Sequence, residues 1–180
     1  MKFTETPIRG AFLIDVEPVE DERGFFARTY DAGELRRRGL EPHVEQCGVS
    51  FNRRKGTLRG MHYQRPPYAE TKLVRCTHGA VYDVVIDLRP SSPSFRQWFA
   101  AELTAHNHRM LYVPEGLAHG FQTLEDESEV SYQISAPHHP QAAAGVRWND
   151  PAFAIRWPLE VTVVAGRDRT FPDFSSSSSE

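Results

Sequence analysis

The sequence predicts an all-β protein with a few short helices, and three observations carry that expectation. Short apolar runs recur along the chain, Gly and Pro punctuate them, and a single stretch has the marks of a helix. The runs fall at residues 10–16, 71–76, 80–88, 98–103, 110–113 and 129–134. They are separated by breakers at residues 90–94 (Pro-Ser-Ser-Pro-Ser), 114–116 (Pro-Glu-Gly) and 137–140 (Pro-His-His-Pro). Many short strands between such breakers read as a sandwich or barrel. The helix candidate is residues 31–38, where Asp31 can cap the first turn and Gly39 can stop the last. Arg53-Arg54-Lys55 reads as an exposed hairpin, and Asp21-Glu22-Arg23 as a solvated charged turn.

A chain of 180 residues suits one domain with a sizeable core, expected over residues 1–174. The 21 basic residues are scattered among 24 acidic ones, for a net charge of −3, which argues against nucleic-acid binding through bulk charge. Cys47 and Cys76, the only cysteines, both sit in strand-like segments and form no CxxC, so a reducing cytoplasm is expected. No apolar run reaches 18 residues and no apolar stretch follows a basic start, so neither a membrane span nor a secretory leader is expected. Ser175 opens a serine run, and residues 175–180 are expected to be a disordered tail.

Chemistry concentrates in Leu58-Arg59-Gly60-Met61-His62-Tyr63-Gln64 and in Lys72-Leu73-Val74-Arg75. An imidazole among fixed cations suits removal of a proton next to a carbonyl, since the cations can hold the resulting enolate oxygen. Strand residues two apart share a face, which puts Gly60, His62 and Gln64 on one side and Arg59, Met61 and Tyr63 on the other. Lys72, Val74 and Cys76 similarly share a face, an arrangement that suits an anionic ligand at the lysine. The same spacing fits a surface lysine and a hydrogen-bonded core histidine, and the residues alone leave both readings open.

Six blocks in order carry a family resemblance. They are Asp21-Glu22-Arg23-Gly24-Phe25-Phe26, the His62 and Lys72 segments just given, and Asp83-Val84-Val85-Ile86-Asp87-Leu88-Arg89. Val113-Pro114-Glu115-Gly116-Leu117-Ala118-His119-Gly120-Phe121 follows, then Trp148-Asn149-Asp150-Pro151 with Trp157-Pro158. Over residues 7–172 the chain resembles the dTDP-4-dehydrorhamnose 3,5-epimerases, nucleotide-sugar enzymes with a cupin-like double-stranded β-helix, or jelly roll. The resemblance implies a cofactor-free homodimer that inverts carbons 3 and 5 of a nucleoside-diphosphate 4-keto-6-deoxyhexose.

By that resemblance His62 matches the base, Tyr132 the acid, Asp168 the carboxylate that orients the base, and Lys72 the cation near the enolate oxygen. His119 matches a second active-site histidine and Arg59 a diphosphate-facing arginine. Arg23 matches a phosphate contact reaching across a dimer interface. Phe26, Gln46 and Arg167 complete the implied substrate contacts, together with Arg28 and His138 at positions that depart from the pattern. Without the resemblance, Tyr132 reads as a half-buried strand tyrosine and His119 as a loop histidine shaping a turn. Asp168 then reads as a surface partner of Arg167 or Arg169.

Three departures bear on the substrate. Arg28 stands near where the family shows a glutamate beside the thymine; a guanidinium only donates, which suits a base presenting acceptors such as cytosine. Gly48 replaces an asparagine of the sugar–phosphate pocket. Ala136-Pro137-His138-His139-Pro140 replaces an aromatic pair that covers the sugar. A single-carbon epimerase and a CDP-sugar epimerase are therefore the alternatives, ahead of a metal-dependent cupin oxygenase and a non-catalytic sugar-nucleotide binder. No metal is expected, because His62-Tyr63-Gln64 supplies one imidazole and His106-Asn107-His108 has no adjacent carboxylate.

Overall fold

The computed structural model describes residues 1–175; the rest of the predicted serine tail lies outside the described residues. The strands are β1 (Lys2–Glu5), β2 (Phe12–Asp15), β3 (Val19–Asp21), β4 (Gly24–Phe26), β5 (Gln46–Asn52), β6 (Thr57–Gln64), β7 (Lys72–His78) and β8 (Ala80–Asp87). They continue with β9 (Trp98–Thr104), β10 (Met110–Val113), β11 (Leu117–Thr123), β12 (Ser128–Ile134), β13 (Ala143–Gly145) and β14 (Val163–Val164). Two short helices accompany them, α1 (Ala32–Arg37) and α2 (Gly166–Arg169). The expected all-β jelly roll is the architecture found.

Two sheets face each other. The first runs β1-β2-β10-β7-β12-β5; the second runs β13-β6-β11-β8-β9, with β14 parallel to β6. The period of two along the strands builds the core between them. Val74 and Cys76 of β7, Leu111 and Val113 of β10 and Val130 of β12 meet Val81 and Val85 of β8, Leu103 of β9, and Leu117 and Phe121 of β11. The alternate residues of β8, Val84 and Ile86, point outward with Met61 and Ala118, where Phe153, Trp157 and Phe174 of the C-terminal segment cover them. Burial pushes the Cys76 thiol up to about 11, so it behaves as a core hydrophobe.

The predicted helix forms as α1. The Asp31 side chain accepts from the Glu34 amide at 2.9 Å, and Gly39 follows the helix at φ +70°. Its buried Leu35 packs on Ile14, Leu73, Met110 and Tyr112, covering the outer face of the first sheet. The solvated turn at residues 21–23 is the tip of the β3–β4 hairpin, a two-stranded unit separate from both sheets.

Two local expectations are corrected. His119 lies in no turn but in the middle of β11, a strand buried along its whole length. Its neighbour Gly120 serves close packing instead, because a Cβ there would meet the Arg59 carbonyl oxygen at 2.6 Å and the Gly60 Cα at 2.9 Å. The regular alternation along β6 also fails. His62 pairs with His119 and Arg59 with Phe121, so three steps on β6 oppose two on β11. This bulge centres on Gly60, at φ +140°, and turns Arg59 to the same side as His62.

Candidate active site

A cavity of about 370 Å³ opens between the two sheets at one end of the sandwich. The first sheet contributes Gln46 and Ser50 of β5, Lys72 of β7 and Tyr132 of β12; the second contributes Arg59 and His62 of β6 and His119 of β11. Side chains from β12 and β6 thus enter from opposite walls. Core-facing alternation explains the first sheet's share, since Lys72 lies in step with Val74 and Tyr132 in step with Val130. The reading of Lys72 as a surface residue is thereby excluded.

His62 Nε2 lies 2.7 Å from Asp168 Oδ1, whose side chain is 3% exposed against 31% for the imidazole. A carboxylate accepts, so Nε2 carries the proton and Nδ1 keeps its lone pair. Among the described residues Nδ1 has no hydrogen-bond partner. The other oxygen of Asp168 accepts from the Gly60 amide at 3.2 Å, so one carboxylate ties both the imidazole and the bulge beneath it. Burial alone would raise Asp168; the hydrogen bonds from His62 and the Gly60 amide and the charge of Arg167 outweigh it and hold its pKa below the usual carboxylate value. Arg167 Nη2 comes within 3.4 Å of His62 Nε2, where a second donor acts as a neighbouring charge.

His119 Nε2 lies 2.9 and 3.0 Å from the two oxygens of Asp83, and this pair is buried. Its ring stands edge-on to Tyr132, with centroids 6.1 Å apart. Burial pushes the Tyr132 phenol far above its ordinary pKa and the charge of Asp83 adds to this, while Arg59 and a polar contact with Ser50 oppose it. The phenol therefore stays protonated at neutral pH. Arg59 is held by the Asn52 amide oxygen, which accepts from Nε at 2.7 Å.

Of the residues expected at the site, His62, Tyr132, Lys72, Arg59, Gln46, His119, His138 and Arg167 line this cavity, and Asp168 supports it from behind. The backbone amide of His138 donates to Gln46 Oε1 at 3.2 Å. Arg23, Phe26 and Arg28 lie elsewhere. Arg23 is paired with Asp21 on the hairpin tip and is 84% exposed. Phe26 and Arg28 line a second cleft beside Glu17, Asp31 and Arg37. Sequence reasoning did not single out Asp83, Glu70, Ser50 or Phe171. Asp83 carried a signal, an acidic residue inside the apolar run 80–88. Phe171, edge-on to His62 at 6.2 Å, carried none. Among the described residues no group of three or more His, Cys, Asp or Glu is placed to hold a metal ion.

A jelly roll with a histidine–carboxylate pair on one wall, a protonated phenol on the other and fixed cations between them is the fold and site of a proton-transferring isomerase. Residues 5–176 match the family model described as dTDP-4-dehydrorhamnose 3,5-epimerase, and the chain belongs to that family. A relative of that name from Sinorhizobium fredii is 38% identical over 173 residues, covering 96% of this chain and 89% of its own. The crystal structure of dTDP-4-dehydrorhamnose 3,5-epimerase from Bacillus anthracis, with TDP and PPi bound, is 40% identical with a TM-score of 0.92, covering 96% of this chain and 99% of that one. The Legionella pneumophila enzyme in complex with dTDP-4-keto-L-rhamnose is 34% identical with a TM-score of 0.86, covering 93% and 89%.

Proposed function

We propose that this enzyme converts dTDP-4-dehydro-6-deoxy-D-glucose to dTDP-4-dehydro-L-rhamnose, using residues 1–174 as one catalytic unit. The observation that carries the reading is the placing of His62 and Tyr132 on opposite walls of one cavity, since inversion needs a base and an acid on opposite faces of the ring. His62 Nδ1 takes the proton from carbon 3, and the electron pair of the broken C–H bond forms the enolate, with its charge on oxygen 4. Lys72 donates to that oxygen. The Tyr132 hydroxyl then returns a proton to the opposite face of carbon 3. The resulting tyrosinate and imidazolium reset by proton exchange with solvent, and the same steps invert carbon 5. Asp168 keeps Nε2 protonated and so keeps Nδ1 free; Arg59 and Arg167 face the diphosphate, with Gln46, His119 and His138 completing the wall around the substrate.

The hairpin residues support a homodimer. Val19 and Phe26 are 70% and 68% exposed, and the edge strand β5 leaves Val49 and Phe51 uncovered. A second copy covering these surfaces brings Arg23, Phe26 and Arg28 toward the partner's nucleotide. The dTDP-linked substrate rests on the relatives' names; Arg28 is the residue that argues for cytosine, and calorimetry with dTDP and CDP decides between the two. A cytoplasmic setting is supported by the two free cysteines, and among the described residues no helix is long and apolar enough to cross a membrane.

Proton NMR of dTDP-4-keto-6-deoxyglucose with the enzyme in deuterated water tests the reading. Deuterium at carbons 3 and 5 is expected. Label at one carbon alone replaces it with a single-carbon epimerase, and no label overturns it.

A further inference from the structure

Glu70 stands two residues before Lys72 and sends its carboxylate into the same cavity. Its Oε1 lies 2.9 Å from Lys72 Nζ, and each side chain is 11% exposed. A pair this far removed from water is no ordinary surface ion pair, and such pairs are poor devices for stability alone. The other two carboxylates closest to the chemistry are engaged by imidazoles, Asp168 by His62 and Asp83 by His119. Glu70 alone of the three holds a lysine ammonium at hydrogen-bonding distance; Arg167 Nε stands further from Asp168, at 3.7 Å.

The backbone fixes only the root of Lys72, which pairs with Val113 on one side and Ile134 on the other. Beyond it runs a four-carbon stem ending in three donors, free to turn toward any anion in reach. A diphosphate is the strongest anion the proposed substrate brings. Arg59 differs, because its partner Asn52 is neutral and leaves the full guanidinium charge available. A cation that followed the diphosphate would strengthen ground-state binding without helping the enolate form.

We infer that Glu70 is a positioning residue that pins the Lys72 ammonium at the enolate-oxygen site and keeps it from turning to the diphosphate. The inference rests on the epimerase reading. One donor of Lys72 is spent on Glu70, and the remaining donors stay aimed where charge develops. The arrangement adds to catalysis through geometry, and its loss is read in kcat before KM.

Steady-state turnover and deuterium wash-in, followed over hours so that slow variants register, test this on the full chain. Glu70→Ala is expected to lower kcat about 10- to 100-fold, with KM unchanged or lower. Glu70→Gln keeps a hydrogen-bonding partner for the ammonium and is expected to lose less. In a Lys72→Met background Glu70→Ala is expected to cost nothing further. Wild-type kcat in Glu70→Ala, or an equal loss in both backgrounds, overturns the role of Glu70 alone. A wild-type enzyme that washes in no label removes the epimerase reading, and this inference with it.

Discussion

Two histidine–carboxylate pairs face each other across β6 and β11, and they differ in ways that separate chemistry from architecture. His62 and His119 are register partners, each with a carboxylate at Nε2. His119 is 4% exposed and Asp83 not at all, and Asp83 comes from the adjoining strand β8. His62 is 31% exposed, and its carboxylate arrives from α2, 106 residues further along the chain. The first pair is mounted wholly within one sheet and is almost wholly buried. The second keeps one face of its imidazole open to ligand and solvent and ties its carboxylate to the glycine of a bulge. In the proposed mechanism the proton is taken and exchanged at the open pair, while the buried pair stiffens the wall and adds negative charge beside Tyr132.

This contrast predicts a graded set of effects. His62→Ala removes the cavity's open, carboxylate-backed imidazole. Turnover is expected to fall by about 10³-fold or more with nucleotide binding nearly intact, as kinetics and calorimetry would show. Asp168→Asn keeps the shape but loses the charge that fixes the tautomer. A loss on the order of 10²-fold in kcat is expected, smaller than for His62→Ala. The buried pair should answer differently: Asp83→Asn leaves a buried imidazole poorly partnered, so the melting temperature falls, corresponding to about 2–3 kcal/mol. Because the Asp83 charge helps hold the phenol protonated, ultraviolet titration should also find Tyr132 ionising at lower pH in that variant. Equal kinetic losses in Asp83→Asn and Asp168→Asn would erase the distinction.

The smallest effect belongs to a carboxylate outside the cavity. Asp87 is fully buried; burial alone would raise its pKa, but Arg89, Ser92 and Ser94 bring it down to about 2. A depressed folded-state pKa means the stabilisation is present above the unfolded value near 4 and is lost as pH falls through 2. Its size is about 2 kcal/mol. Denaturant unfolding between pH 4 and 2 should therefore show a shallower loss of stability in Asp87→Asn than in the wild-type chain.

The fold was largely legible because its signals are local. All six apolar runs became strands, and the Asp31 cap and Gly39 stop bracket α1 as expected. β11 escaped because Ala118, His119, Gly120 and Gln122 have little intrinsic strand preference; burial on both faces makes it a strand. At the site, the residues expected from motifs converge on one cavity except those of the hairpin. Arg59 could not be placed by counting in twos, since the bulge at Gly60 depends on the opposing glycine of another strand. Asp83 opened one of the six blocks but was assigned no role, and Glu70 was visible only as a charge at a strand edge; their partners are set by packing between strands. Phe171 depends on how the C-terminal segment returns to β13, where its ring lies against Gly145. No local pattern encodes that return.

The most direct test of the two-wall account is deuterium wash-in by Tyr132→Phe, read by proton NMR alongside epimer formation. With the phenol gone and the solvent-open His62 intact, deuterium should enter carbon 3 with retention while net inversion falls by about 10²-fold or more. Inversion at the wild-type rate, or loss of wash-in together with inversion, would contradict the assignment of proton removal to one wall and proton return to the other.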